Sequence, residues 1–293
     1  MDLMAMGIVI IGLILLWICI YDGNRFVVVR YEIKSCKVKG TYRAVVLADL
    51  HNKQFGKDNE LLLQEIEKCQ PDGIWIAGDI PTARPKQKLD TALKLVDTLA
   101  KKYPIFYGNG NHEHRMKLYP ETYGDMAAEY EAGLLKSGVS PMVNSKRELP
   151  EFNITVYGTE IAREYYQRFR NVFMDDKYLV ELLGKPDEER FSVLLAHNPD
   201  YFPAYANWGA DLVLSGHVHG GMVRIPGWKG VISPRYRIFP KYDGGRFEIG
   251  KSTMILSRGL GMHTIPIRLF NPGELIVVEL KEEESGITDQ PQR

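Results

Sequence analysis

The hydrophobic and polar positions set an N-terminal stretch apart from the rest of the chain. From Leu3 to Tyr21 no charged residue occurs. As a helix, Met4–Tyr21 would rise about 27 Å, close to the hydrocarbon thickness of a bilayer. Residues 1–21 are read as an uncleaved transmembrane anchor, because no basic region precedes the apolar run and no small-x-small site follows it at Cys19-Ile20-Tyr21-Asp22-Gly23. Trp17 and Tyr21 suit the interfacial end of such a helix. Residues 22–41 read as a juxtamembrane linker or strand, 42–280 as the main domain and 281–293 as a polar tail.

From Tyr42 onward, short apolar runs alternate with amphipathic segments. Tyr42–Ala48, Gly73–Ala77 and Pro104–Tyr107 are predicted strands, β-branched and closed by polar loops. Between them, 58–69 and 86–102 carry apolar residues at helical spacing. This strand, loop, helix rhythm favours an α/β fold with parallel strands and right-handed crossovers, its ligand edge at the strand ends. Further on, 125–136 reads as a helix, Lys146–Leu149 with Asn153–Tyr157 as a hairpin, and Phe191–Ala196, Leu212–Ser215, Thr253–Ser257 and Leu275–Leu280 as strands.

Charge changes the picture in one place. The 37 basic residues balance 37 acidic ones, which argues against a protein held to nucleic acid by bulk positive charge. Yet Arg25, Arg30, Lys34, Lys37, Lys39 and Arg43 follow the anchor against only Asp22 and Glu32. The positive-inside bias then places a single-pass protein in the cell membrane with its main domain in the cytoplasm. Three cysteines without a CxxC pair read as reduced structural thiols.

The candidate chemistry collects where the strands end. Asp49-Leu50-His51, Gly78-Asp79, Gly110-Asn111-His112-Glu113, His197 and Gly216-His217-Val218-His219 each follow a predicted strand, and together they hold five of the seven histidines. Carboxylate oxygen and neutral imidazole nitrogen suit divalent Mn, Fe or Zn, and the set exceeds what one ion can use. Two ions about 3.5–4 Å apart, sharing a carboxylate, clamp a phosphoryl group and ionise a bridging water.

These five blocks, in this order, resemble the complete signature of the calcineurin-like metallophosphoesterases, from about Tyr42 to Leu280. The resemblance implies a four-layer αββα sandwich, two mixed sheets between helices. It also implies two divalent ions, the first held by Asp49, His51 and His219, the second by Asn111, His197 and His217, with Asp79 bridging. His112 matches the histidine that protonates the leaving group, and Glu113 matches an acidic residue supporting it or its loop. The implied reaction is hydrolysis of a phosphodiester or pyrophosphate by attack of a metal-bound hydroxide. Ala196–Asp200, Asp211–Gly221 and Ser257–Gly261 further resemble the bacterial membrane-associated YaeI and YkuE type.

That branch implies a phosphate-ester substrate, lipid-linked in relatives that are UDP-2,3-diacylglucosamine pyrophosphatases. A phosphomonoesterase and a non-catalytic scaffold are the other readings. Arg258, in the loop after a predicted strand, and His263, where relatives carry small polar residues, are read as substrate-binding. Arg224, Arg235, Arg237 and Arg246 are further candidates for a second phosphate. The aromatic and arginine-rich stretch 160–174 reads either as a lid or lipid-facing surface or as an amphipathic helix packed on the sheet.

Overall fold

The computed structural model describes residues 3–167, 172–232, 238–262 and 266–283. Helix α1 (Leu3–Gly23) is long and apolar enough to cross a membrane, with mean hydropathy 2.9 and no burial against the domain over its apolar window. The chain then runs β1 (Phe26–Ser35), β2 (Thr41–Leu47), α2 (Glu60–Lys68), β3 (Gly73–Ala77), α3 (Asp90–Ala100), β4 (Ile105–Gly108), α4 (Asn111–Leu118), α5 (Pro120–Tyr123), α6 (Met126–Lys136), β5 (Ser145–Leu149) and β6 (Ile154–Gly158). It continues α7 (Asp176–Leu183), β7 (Phe191–Leu195), α8 (Phe202–Trp208), β8 (Leu212–Ser215), β9 (Val223–Arg224), β10 (Gly230–Ile232), β11 (Gly245–Ile249), β12 (Ser252–Leu256) and β13 (Gly273–Glu282).

Two mixed sheets form. The first has the order β1-β13-β2-β3-β4, and the second β11-β12-β8-β7-β6-β5; β9 and β10 pair separately. Strands β2, β3 and β4 are mutually parallel, as are β6, β7, β8 and β12, so their C-terminal ends gather on a common edge of each sheet. Alternation along each strand then builds the layers. In β2, Ala44 and Val46 face the second sheet and pack with Val156, Val193 and Leu214. Val45 and Leu47 face the other way, onto Leu62 and Ile66 of α2 and Leu95 of α3. On the far side of the second sheet, Leu194, Val213 and Met254 pack against Leu179 of α7 and Phe202 and Tyr205 of α8. The result is helices, sheet, sheet, helices, the expected four layers. Strands buried on both faces explain why their sequences read as unbroken apolar runs.

Residues 26–35, between α1 and β2, form an edge strand of the first sheet, parallel to β13 from Phe26↔Gly273 to Ser35↔Glu282. The end of α1 is tied to the domain as well. Buried Asp22 accepts from the Asn271 backbone N–H at 3.0 Å and pairs with Arg25 at 2.7 Å, and Lys53 reaches the Asn24 side chain at 2.7 Å.

Three segments depart from the expectation. The helix expected over 86–102 starts at Asp90, because Lys86 has φ 61° and residues 82–89 instead run as a loop beside the strand ends. Helix α4 was not foreseen: its buried residues are Asn111, His112, Glu113 and Met116, so chemistry occupies the face where apolar periodicity would be read. In the stretch 160–174 the described residues form no α-helix, only a 3₁₀ turn over Arg163–Tyr166, which buries Tyr165 and Tyr166 while Phe173 stays exposed.

Candidate metal centre

Each sequence-predicted ligand leaves the C-terminal end of a buried strand, and adjacent loops lock one another. The Asp49 N–H donates to the Gly78 carbonyl, the His51 N–H to the Asp79 carbonyl, and the His217 N–H to the Asp49 carboxylate at 2.9–3.0 Å. Asp49, His51, Asp79, His217 and His219 all lie at positive φ, between 50° and 75°. A non-glycine residue there costs on the order of 1–2 kcal/mol, so five at one site require neighbours that hold the backbone in place. Two glycines make the approach possible: a Cβ at Gly110 would sit 2.2 Å from Asp79 Oδ1, and one at Gly216 would sit 2.3 Å from Asp49 Oδ2.

The ligand atoms converge. His219 Nε2 lies 3.2 Å from His51 Nε2 and 3.3 Å from Asp49 Oδ1. Asp79 Oδ2 lies 3.8 Å from His51 Nε2 on one side and 3.1 Å from His197 Nε2 on the other. Asp49, His51 and His219 form one cluster, Asp79, His197 and His217 a second, and His51, Asp79 and His112 a third that joins them, with ligand atoms inside each no more than 4.8 Å apart.

The donor set fits divalent cations. Asp49 and Asp79 are buried, and among the described residues no lysine or arginine pairs with either carboxylate. Burial, with Asp79 adding to it, pushes the Asp49 carboxyl up to about 7. Burial acts on Asp79 too but is overcome by His197 and His112, which hold it well below the usual carboxylate range. His197, despite burial, is held up to about 10 by Asp79 and Asp49. Its Nδ1 lies 2.7 Å from the Ala77 carbonyl and donates to it, which turns Nε2 toward Asp79 as a ligand atom. Asn111 Oδ1 is buried with no hydrogen-bond partner among the described residues, an oxygen suited to a cation.

His112 is set apart by its partner. Its Nδ1 accepts from the Ala83 N–H at 2.8 Å, so in the neutral ring the proton sits on Nε2, 4.0 Å from Asp79 Oδ2. Its own N–H donates to Asp79 Oδ1 at 2.7 Å. Glu113, expected to support His112 or its loop, is a hub: Oε2 accepts from the N–H groups of Asp79 and Gly110, and Oε1 from the Ile80 N–H and the Tyr107 hydroxyl, all at 2.8–3.1 Å. Burial and Asp79 push its carboxyl up to about 8. Glu113→Ala strands three buried backbone N–H groups, those of Asp79, Ile80 and Gly110, and the expected outcome is a loss of about 3 kcal/mol or more in unfolding free energy, measured by denaturant titration.

Other site residues escaped the sequence reading. Tyr166 stands with its ring centroid 5.4 Å from that of His217; only its place in an aromatic segment hinted at it. Buried Arg268 gathers the carbonyls of Arg258, Gly259, Gly261 and Asn271, organising the loop after β12 beneath Asp49, and burial pushes its guanidinium down to about 10. Asn271 donates to the His219 and Gly221 carbonyls at 2.7 Å. Arg258, expected at the substrate, has its guanidinium on Glu274 at 3.2 Å, and Arg224 is engaged by Asp243. Arg246 pairs with Glu248. His263, Arg235 and Arg237 lie outside the described residues.

Comparison with known proteins gives the family. The family model "Calcineurin-like phosphoesterase" matches residues 42–221. The uncharacterized metallophosphoesterase YkuE of Bacillus subtilis (strain 168) is 28% identical over 82% of this chain and 79% of its own length. An uncharacterized metallophosphoesterase of Campylobacter jejuni, Cj0846, is 26% identical over 85% of this chain, which spans 63% of that relative. Phosphodiesterase YaeI of Escherichia coli (strain K12) is 25% identical over 75% of each chain. Strand-end loops that gather buried carboxylates and imidazoles, in a chain that the family model matches over more than half its length, make this protein a member of the calcineurin-like phosphoesterase family, a metal-dependent phosphoester hydrolase.

Proposed function

We propose that the protein is a membrane-anchored phosphoesterase that uses two divalent ions, of the Mn, Fe or Zn kind, to hydrolyse a phosphodiester or pyrophosphate bond. Asp49, His51 and His219 would hold one ion and Asn111, His197 and His217 the other, with Asp79 shared. The single observation that carries this reading is the position of Asp79 Oδ2, 3.8 Å from His51 Nε2 and 3.1 Å from His197 Nε2, one carboxylate reaching both groups. When bound, such ions supply Lewis-acid polarisation of phosphate oxygens and a water-derived nucleophile.

The chain's own residues do the rest. Asp49 and Asp79 are buried, so the attraction of cations held there for a phosphate anion would be little screened by solvent. His112 keeps its transferable proton on Nε2, held there by the Ala83 N–H at Nδ1, and delivers it to the departing oxygen. Glu113 and Arg268 fix the loops that set these distances.

Helix α1 supports the anchor, and the basic residues from Arg25 to Arg43 support a cytoplasmic domain. Tethering of the helix end through Asp22 and Asn271, whose side chain holds the His219 carbonyl, supports a reading in which the site lies toward the anchored end of the domain and takes an amphiphilic substrate.

The test is turnover by the purified full-length protein, stripped of metal and reloaded with each ion. Hydrolysis of bis(p-nitrophenyl) phosphate or a nucleotide sugar should appear only with metal. Metal-loaded protein that is inert toward mono-, di- and pyrophosphate esters across several pH values would sink the reading.

A further inference from the structure

Beside His51 and His112 lies a cavity of about 460 Å³. Two arginines line it from separate elements: Arg84, exposed on the loop after β3, and Arg115, half-buried on α4. Arg115 lies three positions after His112, on the same helical face one turn on. Neither guanidinium forms an ion pair or a hydrogen bond among the described residues, whereas Arg224, Arg258 and Arg268, from the C-terminal third of the chain, are all engaged. No carboxylate is among the described residues lining the cavity. Two uncompensated cations in a concave wall attract anions and are matched to phosphate or carboxylate oxygens.

We propose that this cavity is a subsite for a second anionic group on the substrate, held by Arg84 and Arg115. The proposal rests on the phosphoesterase reading and narrows its substrate class. A volume of about 460 Å³ exceeds what a lone phosphate needs, so the substrate continues past the scissile bond on this side. His112, the proposed proton donor to the departing oxygen, itself lines this cavity, with its Nδ1 on the Ala83 N–H of the same wall. The group entering the cavity is therefore the leaving portion, and it carries its own phosphate or carboxylate: a sugar phosphate, a nucleotide or the second half of a diphosphate. The loop bearing Arg84 is coupled to catalysis through the Ala83 N–H on His112 Nδ1, so occupation of the subsite also steadies the proton donor. Arg258, the first sequence choice for this task, is held by Glu274 and leaves it to these two.

The experiment compares two soluble probes on the manganese-loaded full-length protein by calorimetry: glucose 1,6-bisphosphate, with two anionic groups, and glucose 6-phosphate, with one. The wild type should bind the bisphosphate about 10- to 100-fold more tightly, the range expected for one added charge-assisted contact. That preference should collapse in Arg84→Gln/Arg115→Gln and partly survive in Arg84→Lys/Arg115→Lys. Equal affinities in the wild type, or a preference that persists in the glutamine double variant, would overturn the subsite. The single exposed-residue variant Arg84→Gln, with its Tm measured alongside, guards against misfolding and should lower the ratio by itself. Hydrolysis of bis(p-nitrophenyl) phosphate, whose leaving group has no second anion, reports on the phosphoesterase reading independently of these probes.

Discussion

Asp79→Asn is expected to abolish metal-dependent hydrolysis while leaving the fold standing. Asparagine matches aspartate in shape, and its carbonyl oxygen can still accept the His112 N–H, so the 2.7 Å contact that anchors α4 survives. What disappears is the charge that both ligand clusters share. Oδ2 faces His197 Nε2 at 3.1 Å and His51 Nε2 at 3.8 Å, and a neutral amide there removes the anion shared by the two proposed ligand sets and sets an N–H donor against imidazole nitrogens. Loss of several kcal/mol of electrostatic stabilisation corresponds to a fall of about 10³-fold or more in kcat/KM. Elemental analysis should find the variant with less than the full metal complement, and its Tm should stay close to that of the apo wild type. A variant with normal metal content and normal turnover would remove Asp79 from the proposed mechanism.

His112 is expected to show a different signature, one that depends on the leaving group. Nothing in the proposed ligand sets needs its ring, and its Nε2–H is positioned to be given away. His112→Asn keeps an oxygen available to the Ala83 N–H but has no proton to transfer at neutral pH. With an alkyl ester, whose alkoxide leaves poorly, kcat should fall about 10²- to 10⁴-fold. With a p-nitrophenyl ester, whose phenolate leaves without help, the fall should be far smaller. Rates over a series of phenyl and alkyl leaving groups measure this directly, and metal content should be unchanged. If both ester types slow by the same factor, His112 acts through positioning, not proton transfer.

Legibility in the sequence followed what each residue type was free to signal. Strands such as Tyr42–Ala48 and Leu212–Ser215 were visible because both of their faces are buried, which leaves an unbroken apolar run. Helix α4 was invisible for the complementary reason: Asn111, His112 and Glu113 occupy its buried face, and a helix that buries polar groups has no apolar period to detect. The turn at Arg163–Tyr166 likewise gave no regular pattern, yet it brings Tyr166 to His217.

By itself the sequence determined the apolar N-terminal helix, the strand and helix rhythm at the start of the domain, and the candidate ligand blocks, because each block is local: a strand, then two or three polar residues, with glycine where a side chain would collide. Only the tertiary structure decided how the remaining polar residues divide. Arg258 and Arg84 are alike as letters in loops, but β13 carries Glu274 to the first, while among the described residues no acid lines the cavity around the second. An arginine's role depends on whether a carboxylate distant in sequence lies within about 4 Å of it, and that distance exists only after the sheets have packed.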